Sequence, residues 1–228
     1  MQNSFIFDFD STIVQIESLD EVLGCALKKN PAAKKILAEI KKITDAGMNR
    51  EIPFEDSLAR RLQIARIHQK NFDEIATKIG EKITDGIPEI FEFLQKKNQQ
   101  IFIISGGFLP AILPVAEILK IPRENIFANE FFLDAENFVR GIDKKNPLAR
   151  DGGKIAVVEK LKAEKKLPGK IFVVGDGGTD AEIFLRKKAD FFCGFGANVV
   201  REKVKNSSPH FFENSKKLLD FFKNFLGN

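Results

Sequence analysis

The sequence predicts an α/β protein: a parallel sheet with helices on both faces, interrupted by an inserted block of helices. Short apolar runs bounded by Gly or polar residues recur at Ser4–Asp8, Ile101–Ile104, Ile171–Val174 and Phe191–Cys193, the pattern of strands buried on both faces. Amphipathic helical patterns lie between them, over 87–98, 109–120, 153–166, 180–188 and 215–226. Residues 18 to about 85 break that rhythm and carry helical periodicity alone.

Within that block, Asn30 and Pro31 are expected as N-cap and first residue of a helix whose stripe is Ile36, Leu37, Ile40 and Ile43 and which ends near Gly47. A second helix is expected after Pro53, with Phe54, Leu58, Leu62 and Ala65 along one side, and a third from Asp73 to Ile79. The segment 130–142, with apolar runs on either side of Asp134-Ala-Glu-Asn137, is expected as a hairpin at an edge of the sheet. The domain expectation is a core of residues 1–17 and 86–228 with a helical cap over 18–85.

The chain of 228 residues is 43% hydrophobic and 30% charged, with 16 Gly and 9 Pro, which excludes a collagen-like, coiled-coil or wholly disordered protein. Its 36 Lys and Arg against 32 Asp and Glu are spread along the chain, so no basic tract suits nucleic acid. Lys28-Lys29, Lys34-Lys35 and Lys41-Lys42 sit on the polar side of a helical pattern, a solvated face with no Trp or large apolar face beside it for a membrane. No apolar stretch approaches the ~18 residues of a membrane span, and residues 1–17 hold carboxylates where a signal peptide is basic and then apolar, so a cytoplasmic protein is expected. Cys25 and Cys193 lack partners at ligand spacing and are expected as small buried hydrophobes. The aromatic residues are 23 Phe, without Trp or Tyr.

The chemistry gathers at the strand ends. Asp8 and Asp10 stand two apart where the first strand runs out, so strand alternation would send both to one side at the carboxyl edge of the sheet. Two acids so close repel unless a cation or a shared proton lies between them. The strand Ile171–Val174 runs into Gly175-Asp176-Gly177-Gly178-Thr179-Asp180, a second pair of acids at another tip, so four carboxylates are expected to converge; Asp176 as a helix cap is the plainer reading. Oxygen-only ligands suit a hard ion such as Mg²⁺. Ser105-Gly106-Gly107, after a third strand, offers a hydroxyl and free amides ahead of a helix, a phosphate-sized nest. Lys154, at a helix start where a cation opposes the dipole, suggests a negative partner elsewhere.

Taken in order, Asp8-Phe-Asp10-Ser-Thr12, Ser105-Gly-Gly, Lys154 and Gly175-Asp176-Gly-Gly-Thr-Asp180 resemble the four motifs of the haloacid dehalogenase superfamily of phosphatases, over nearly the whole chain. The helical insertion after the first motif is similar to a branch with a small cap, and the chain looks most like the members acting on O-phospho-L-serine in serine biosynthesis. The resemblance implies a Rossmann-like three-layer core. It further implies Asp8 as nucleophile, Asp10 as general acid and base, and Mg²⁺ held by the Asp8 side chain, the Asp10 carbonyl and Asp176, with Asp180 steadying the metal shell. Ser105, Gly106, Lys154 and Thr179 would meet the phosphoryl group, Glu17 and Arg61 the amino and carboxylate groups, and Met48 and Phe54 the rest of the substrate. For Glu17 the plainer reading is a first-turn acid of a helix, and for Arg61 a solvated helix residue beside Arg60. Asp151 departs from the Ser often found there in relatives and adds a negative charge near Lys154; His68 and His210 fall outside every motif.

The expected partner is thus a small molecule, phosphoserine, with no nucleic acid or membrane, in a monomer or homodimer. Two rivals use the same residues: phosphoryl transfer to another alcohol such as homoserine or hydrolysis of a different small phosphomonoester, and a regulatory binding protein without turnover. The second is disfavoured because nucleophile and metal acids are all present.

Overall fold

The computed structural model describes residues 1–227. The core strands are β1 (Ser4–Phe7), β2 (Gln100–Phe108), β3 (Ile126–Asn129), β6 (Ile171–Gly175), β7 (Phe191–Phe195) and β8 (His210–Phe212), all parallel, in the order β3-β2-β1-β6-β7-β8. Side chains alternate across this sheet. Phe5, Phe7, Ile103, Phe172, Val174 and Cys193 face a core shared with α5 (Ile87–Lys96), α6 (Leu109–Ile118) and α10 (Ser215–Leu226). Ile6, Phe102, Ile104, Val173 and Phe192 face a second core with α7 (Gly153–Ala163), α8 (Gly178–Leu185) and α9 (Glu202–Ser207). The layers are therefore helix, sheet, helix, a member of the α/β class with helices on both faces.

After β1 the chain builds outward to β2 and β3, then returns to β6 on the other side of β1. The strand order reverses there, which opens a crevice beyond the carboxyl ends of β1 and β6. Between β1 and α5 lie four helices, α1 (Ser18–Ala26), α2 (Ala33–Met48), α3 (Phe54–Ile64) and α4 (Gln69–Ala76), and no strand. The segments entering and leaving this block run side by side: Val14 bridges Ile83, and the Thr84 N–H donates to the Ile13 carbonyl at 2.9 Å.

Several expectations are corrected. Helix α2 begins at Ala33, because Asn30 forms a local turn instead, its Oδ1 accepting the Ala32 N–H at 2.9 Å. Helix α4 begins at Gln69 and ends at Ala76, not Asp73 to Ile79: His68 is its N-cap, accepting from the Lys70 N–H, while Asn71 accepts the His68 N–H. Strands β4 (Phe131–Leu133) and β5 (Val139–Ile142) form an antiparallel pair, but as a separate ribbon and not at the edge of the main sheet. Phe131 stacks on Phe108 and packs against Phe72, fixing the ribbon over α4 and β2. Strands β3 and β8 were not anticipated, and Cys25 is only half-buried whereas Cys193 is buried. Among the described residues, no helix is long and apolar enough to cross a membrane.

The core is built from phenyl rings. Phe172 stacks in near-parallel planes with Phe5 and Phe191, centroids 4.6 and 4.5 Å apart, and takes Phe222 and Phe225 edge-on, the last arrangement favoured by the ring quadrupole. Replacing Phe172 by Ala is expected to cost about 3–5 kcal/mol of folding free energy; urea unfolding should show a lower midpoint at unchanged slope.

Candidate active site

Strand β1 stops at Phe7, and residues 9–13 form a tight turn in which Ser11 takes a left-handed backbone (φ 54°). The strand alternation expected to align Asp8 with Asp10 therefore does not exist. Asp8 stays at the strand tip, where its Oδ1 accepts the Phe9 N–H at 2.7 Å; Asp10 is carried round the turn, and its Oδ1 accepts the Ser18 N–H at 2.9 Å. Both still line one cleft, together with Glu17, Met48, Phe54, Arg61, Ser105, Gly106, Lys154 and Thr179.

Three carboxylates converge instead of four. Asp8, Asp176 and Asp180 each offer an oxygen within 4.8 Å of the others, and all three are buried. Asp10 is not in this group. Lys154 Nζ reaches Asp180 Oδ1 at 2.7 Å and Asp8 Oδ1 at 2.8 Å, so its negative partners are these acids. Asp176 does not cap α8: Gly177 is the N-cap, and Asp180 accepts its N–H at 3.3 Å. Asp176 Oδ2 accepts from Arg201 Nε at 2.9 Å and its Oδ1 from the Thr12 hydroxyl at 3.2 Å.

Burial governs the protonation of these groups. It raises the Asp180 and Asp176 carboxyls above the ordinary range, with the Asp8 charge adding to the rise and Lys154 and Arg201 respectively pulling back. Burial alone would lower Lys154, but Asp180 and Asp8 overcome it and hold the ammonium charged. Asp10 is pushed up to about 7, mainly by burial and partly by Asp8, against the Ser18 hydrogen bond that lowers it. Burial, with Asp10, Asp176 and Asp20 nearby, raises Glu17 to about 8.

The Ser105–Gly107 segment also differs from expectation. Strand β2 continues through it to Phe108, and the Gly107 N–H is taken by Ser105 Oγ at 2.9 Å, so that amide is not free. Gly106 abuts the tip of the Phe54 ring; a Cβ there would sit 2.6 Å from the ring tip, so a side chain at 106 would push the ring aside. Helices α1, α2 and α3 contribute Leu19, Met48, Phe54, Leu58 and Arg61 to the lining. Arg61 is 4% exposed and pairs with Asp20 at 3.1 Å, while Thr44 donates to the same carboxylate at 2.8 Å; it is not a solvated surface arginine. Glu17 precedes α1 without capping it and accepts the Ser11 hydroxyl at 2.8 Å. Asp151 is engaged by the start of α3. Its Oδ1 accepts the Phe54 N–H at 3.3 Å and its own N–H donates to Glu55 Oε2 at 3.0 Å, serving the start of α3, where Pro53 has no capping side chain.

Arg201 was missed by sequence reasoning. It is 5% exposed and stands between Asp176, Glu17 at 3.5 Å and Asp45 of α2 at 3.6 Å, joining three separate segments. A single arginine in a loop carries no motif; the only hint was the surplus of acids at the strand tips. Arg201→Met should lower folding free energy by about 3 kcal/mol in chelator, because Asp176 is left buried without its partner, and by less when a divalent cation is added; paired urea titrations check this.

A family model described as haloacid dehalogenase-like hydrolase matches residues 5–184. The phosphoserine phosphatase of Mus musculus is 35% identical over 216 residues, covering 93% of this chain and 90% of that protein. A solved structure of a phosphoserine phosphohydrolase-like protein from Francisella tularensis superposes with a TM-score of 0.88 at 36% identity, covering 97% of this chain and 99% of that one. A substrate-bound phosphoserine phosphatase complex superposes with a TM-score of 0.81 at 24% identity, covering 97% of this chain and 98% of that one, a likeness of fold.

Proposed function

The chain belongs to the haloacid dehalogenase-like hydrolase family, and on that footing we propose that it hydrolyses O-phospho-L-serine to L-serine and phosphate. The observation that carries the reading is the buried cluster of Asp8, Asp176, Asp180 and Lys154 at the tips of β1 and β6, opening into a cleft that also holds Arg61 and Glu17.

The cluster suits a divalent cation. Fully ionised, the three acids outnumber Lys154 and Arg201 by one negative charge, a poor receptor for a phosphate dianion until further positive charge is added. All-oxygen donors in a buried group favour a hard ion such as Mg²⁺; Asp8, Asp176 and the Asp10 carbonyl would hold it, with Asp180 alongside. When bound it supplies neutralising charge to the phosphoryl oxygens.

The residues of the chain divide the remaining work. An Asp8 carboxylate oxygen forms a bond to phosphorus while the bond from phosphorus to the serine oxygen breaks, leaving a phosphoaspartyl group. Asp10, with its carboxyl near 7, is poised to give a proton to the departing serine oxygen and afterwards to take one from the water that frees phosphate from Asp8. Lys154 and Ser105 hold the phosphoryl oxygens, and Gly106 and Thr179 complete that rim. The Arg61 fork, steadied by Asp20, meets the substrate carboxylate and Glu17 its ammonium, while Met48 and Phe54 cover the serine carbon chain.

Phosphate release across a panel of monoesters tests the reading: phosphoserine should be the best substrate, and a sugar phosphate or phosphothreonine outpacing it tenfold would overturn the assignment. Chelation of Mg²⁺ should stop turnover, and Asp8→Asn should abolish it while circular dichroism and melting temperature stay near wild type. Arg61→Ala should lower kcat/KM for phosphoserine by about ten- to a hundredfold, the loss of a charged hydrogen-bond pair. It should leave hydrolysis of phosphoethanolamine, which has no carboxylate, nearly unchanged.

A further inference from the structure

Behind the phosphate-facing rim, outside the lining of the cleft, Asn129 closes strand β3 and is 1% exposed. Its Nδ2 donates to two main-chain carbonyls from different segments, Gly106 at 2.9 Å and Leu148 at 3.1 Å. Its Oδ1 meets no donor among the described residues. Burying an amide with its acceptor unpaired costs free energy, so the value of this side chain lies in its two donors. The amide has one tenable orientation, since turning it over would set Oδ1 against both carbonyls.

The segments it joins are the one that carries Ser105 and the one that leads to Lys154. Pairing of β2 with β3 loses register between Ile104 and Phe108, so Ser105–Gly107 leaves the regular ladder at the point where it enters the site. Asn129 replaces the missing ladder bond at Gly106. Leu148 belongs to the turn Pro147–Ala149 that leads into α7 and Lys154. A Cβ at Gly153 would lie 2.0 Å from the Pro147 carbonyl oxygen, so this turn and the start of α7 are in direct contact. Asn146 laces the same turn to the Ala128 carbonyl at 2.7 Å.

We propose that Asn129 is a positioning residue for the anion cradle: its amide fastens the Ser105–Gly107 segment to the Lys154 turn and so fixes the spacing between the two groups that grip a tetrahedral oxyanion. It touches neither substrate nor metal. Small displacements of such groups are costly to the rate because donors must meet charge that develops only in the transition state. The proposal rests on the phosphatase reading for the identity of the anion.

The test compares Asn129→Ala, which has no donor, and Asn129→Ser, which keeps one, with wild type. Inorganic phosphate binding in Mg²⁺ is measured by calorimetry, and kcat and KM on whichever monoester wild type turns over fastest. We expect kcat to fall about ten- to a hundredfold in the Ala variant with a smaller change in KM, phosphate affinity to weaken in step, and Ser to recover part of both. Wild-type kcat and phosphate affinity in a folded Ala variant would overturn the proposal. If the Ala variant is not recovered folded, wild-type values in Ser overturn it, and failure of both to fold does so in favour of a purely structural role. Phosphate binding keeps this outcome separate from the choice of phosphoserine as substrate, because the calorimetric comparison stands whatever ester the panel selects.

Discussion

Mutual repulsion among buried carboxylates is the constraint around which this protein is organised. Asp8, Asp176 and Asp180 share a small volume at the carboxyl edge of the sheet, where charges are poorly screened. Holding them there requires Lys154 between two of them and Arg201 against the third. An arrangement of this kind is a poor source of stability, because desolvation opposes the Coulombic gain. The stability comes from elsewhere, from the two apolar cores on either face of the sheet, and the strained corner at the crevice is carried by them.

Polar contacts join the inserted helices to this corner. Arg201 reaches Asp45, Arg50 reaches Glu182 at 3.4 Å, and Asp151 serves the first turn of α3. The two connecting segments are paired at Val14 and Ile83, and Asn198 ties them again by donating to the Ser11 carbonyl and the Thr84 hydroxyl. The inserted helices are thus tied to the rest of the fold by two paired connecting segments, and their contact with it is apolar as well as polar: Phe72 meets Phe108 edge-on, and the Phe54 ring tip abuts Gly106.

Much of this was legible in the sequence, for identifiable reasons. Central strands such as Ile171–Val174 are buried on both faces and leave unbroken apolar runs, and the cap helices leave stripes. The acids, Ser105 and Lys154 carry spacing that few other chemistries need. What escaped had weaker local signal. Strand β8 is three half-buried residues at the sheet edge, and β3 is only four. Histidine is an unusual N-cap, which hid the start of α4. Alternation predicts that Asp8 and Asp10 point the same way, but β1 ends at Phe7, three residues short of Asp10, so it does not apply. Arg201 and Asn129 owe their places to long-range packing, to which neither pattern nor motif refers.

The aromatic stacks described for the sheet have a practical corollary. Every ring in them is phenyl, apart from the imidazole of His210 at one end, so the interior carries no hydroxyl or indole proton to be satisfied. With no Trp or Tyr in the chain, the protein is nearly transparent in the near ultraviolet and lacks strong intrinsic emission. A single tryptophan introduced into one of the inserted helices would therefore be the dominant fluorophore of the molecule, reporting its own surroundings against a dark background.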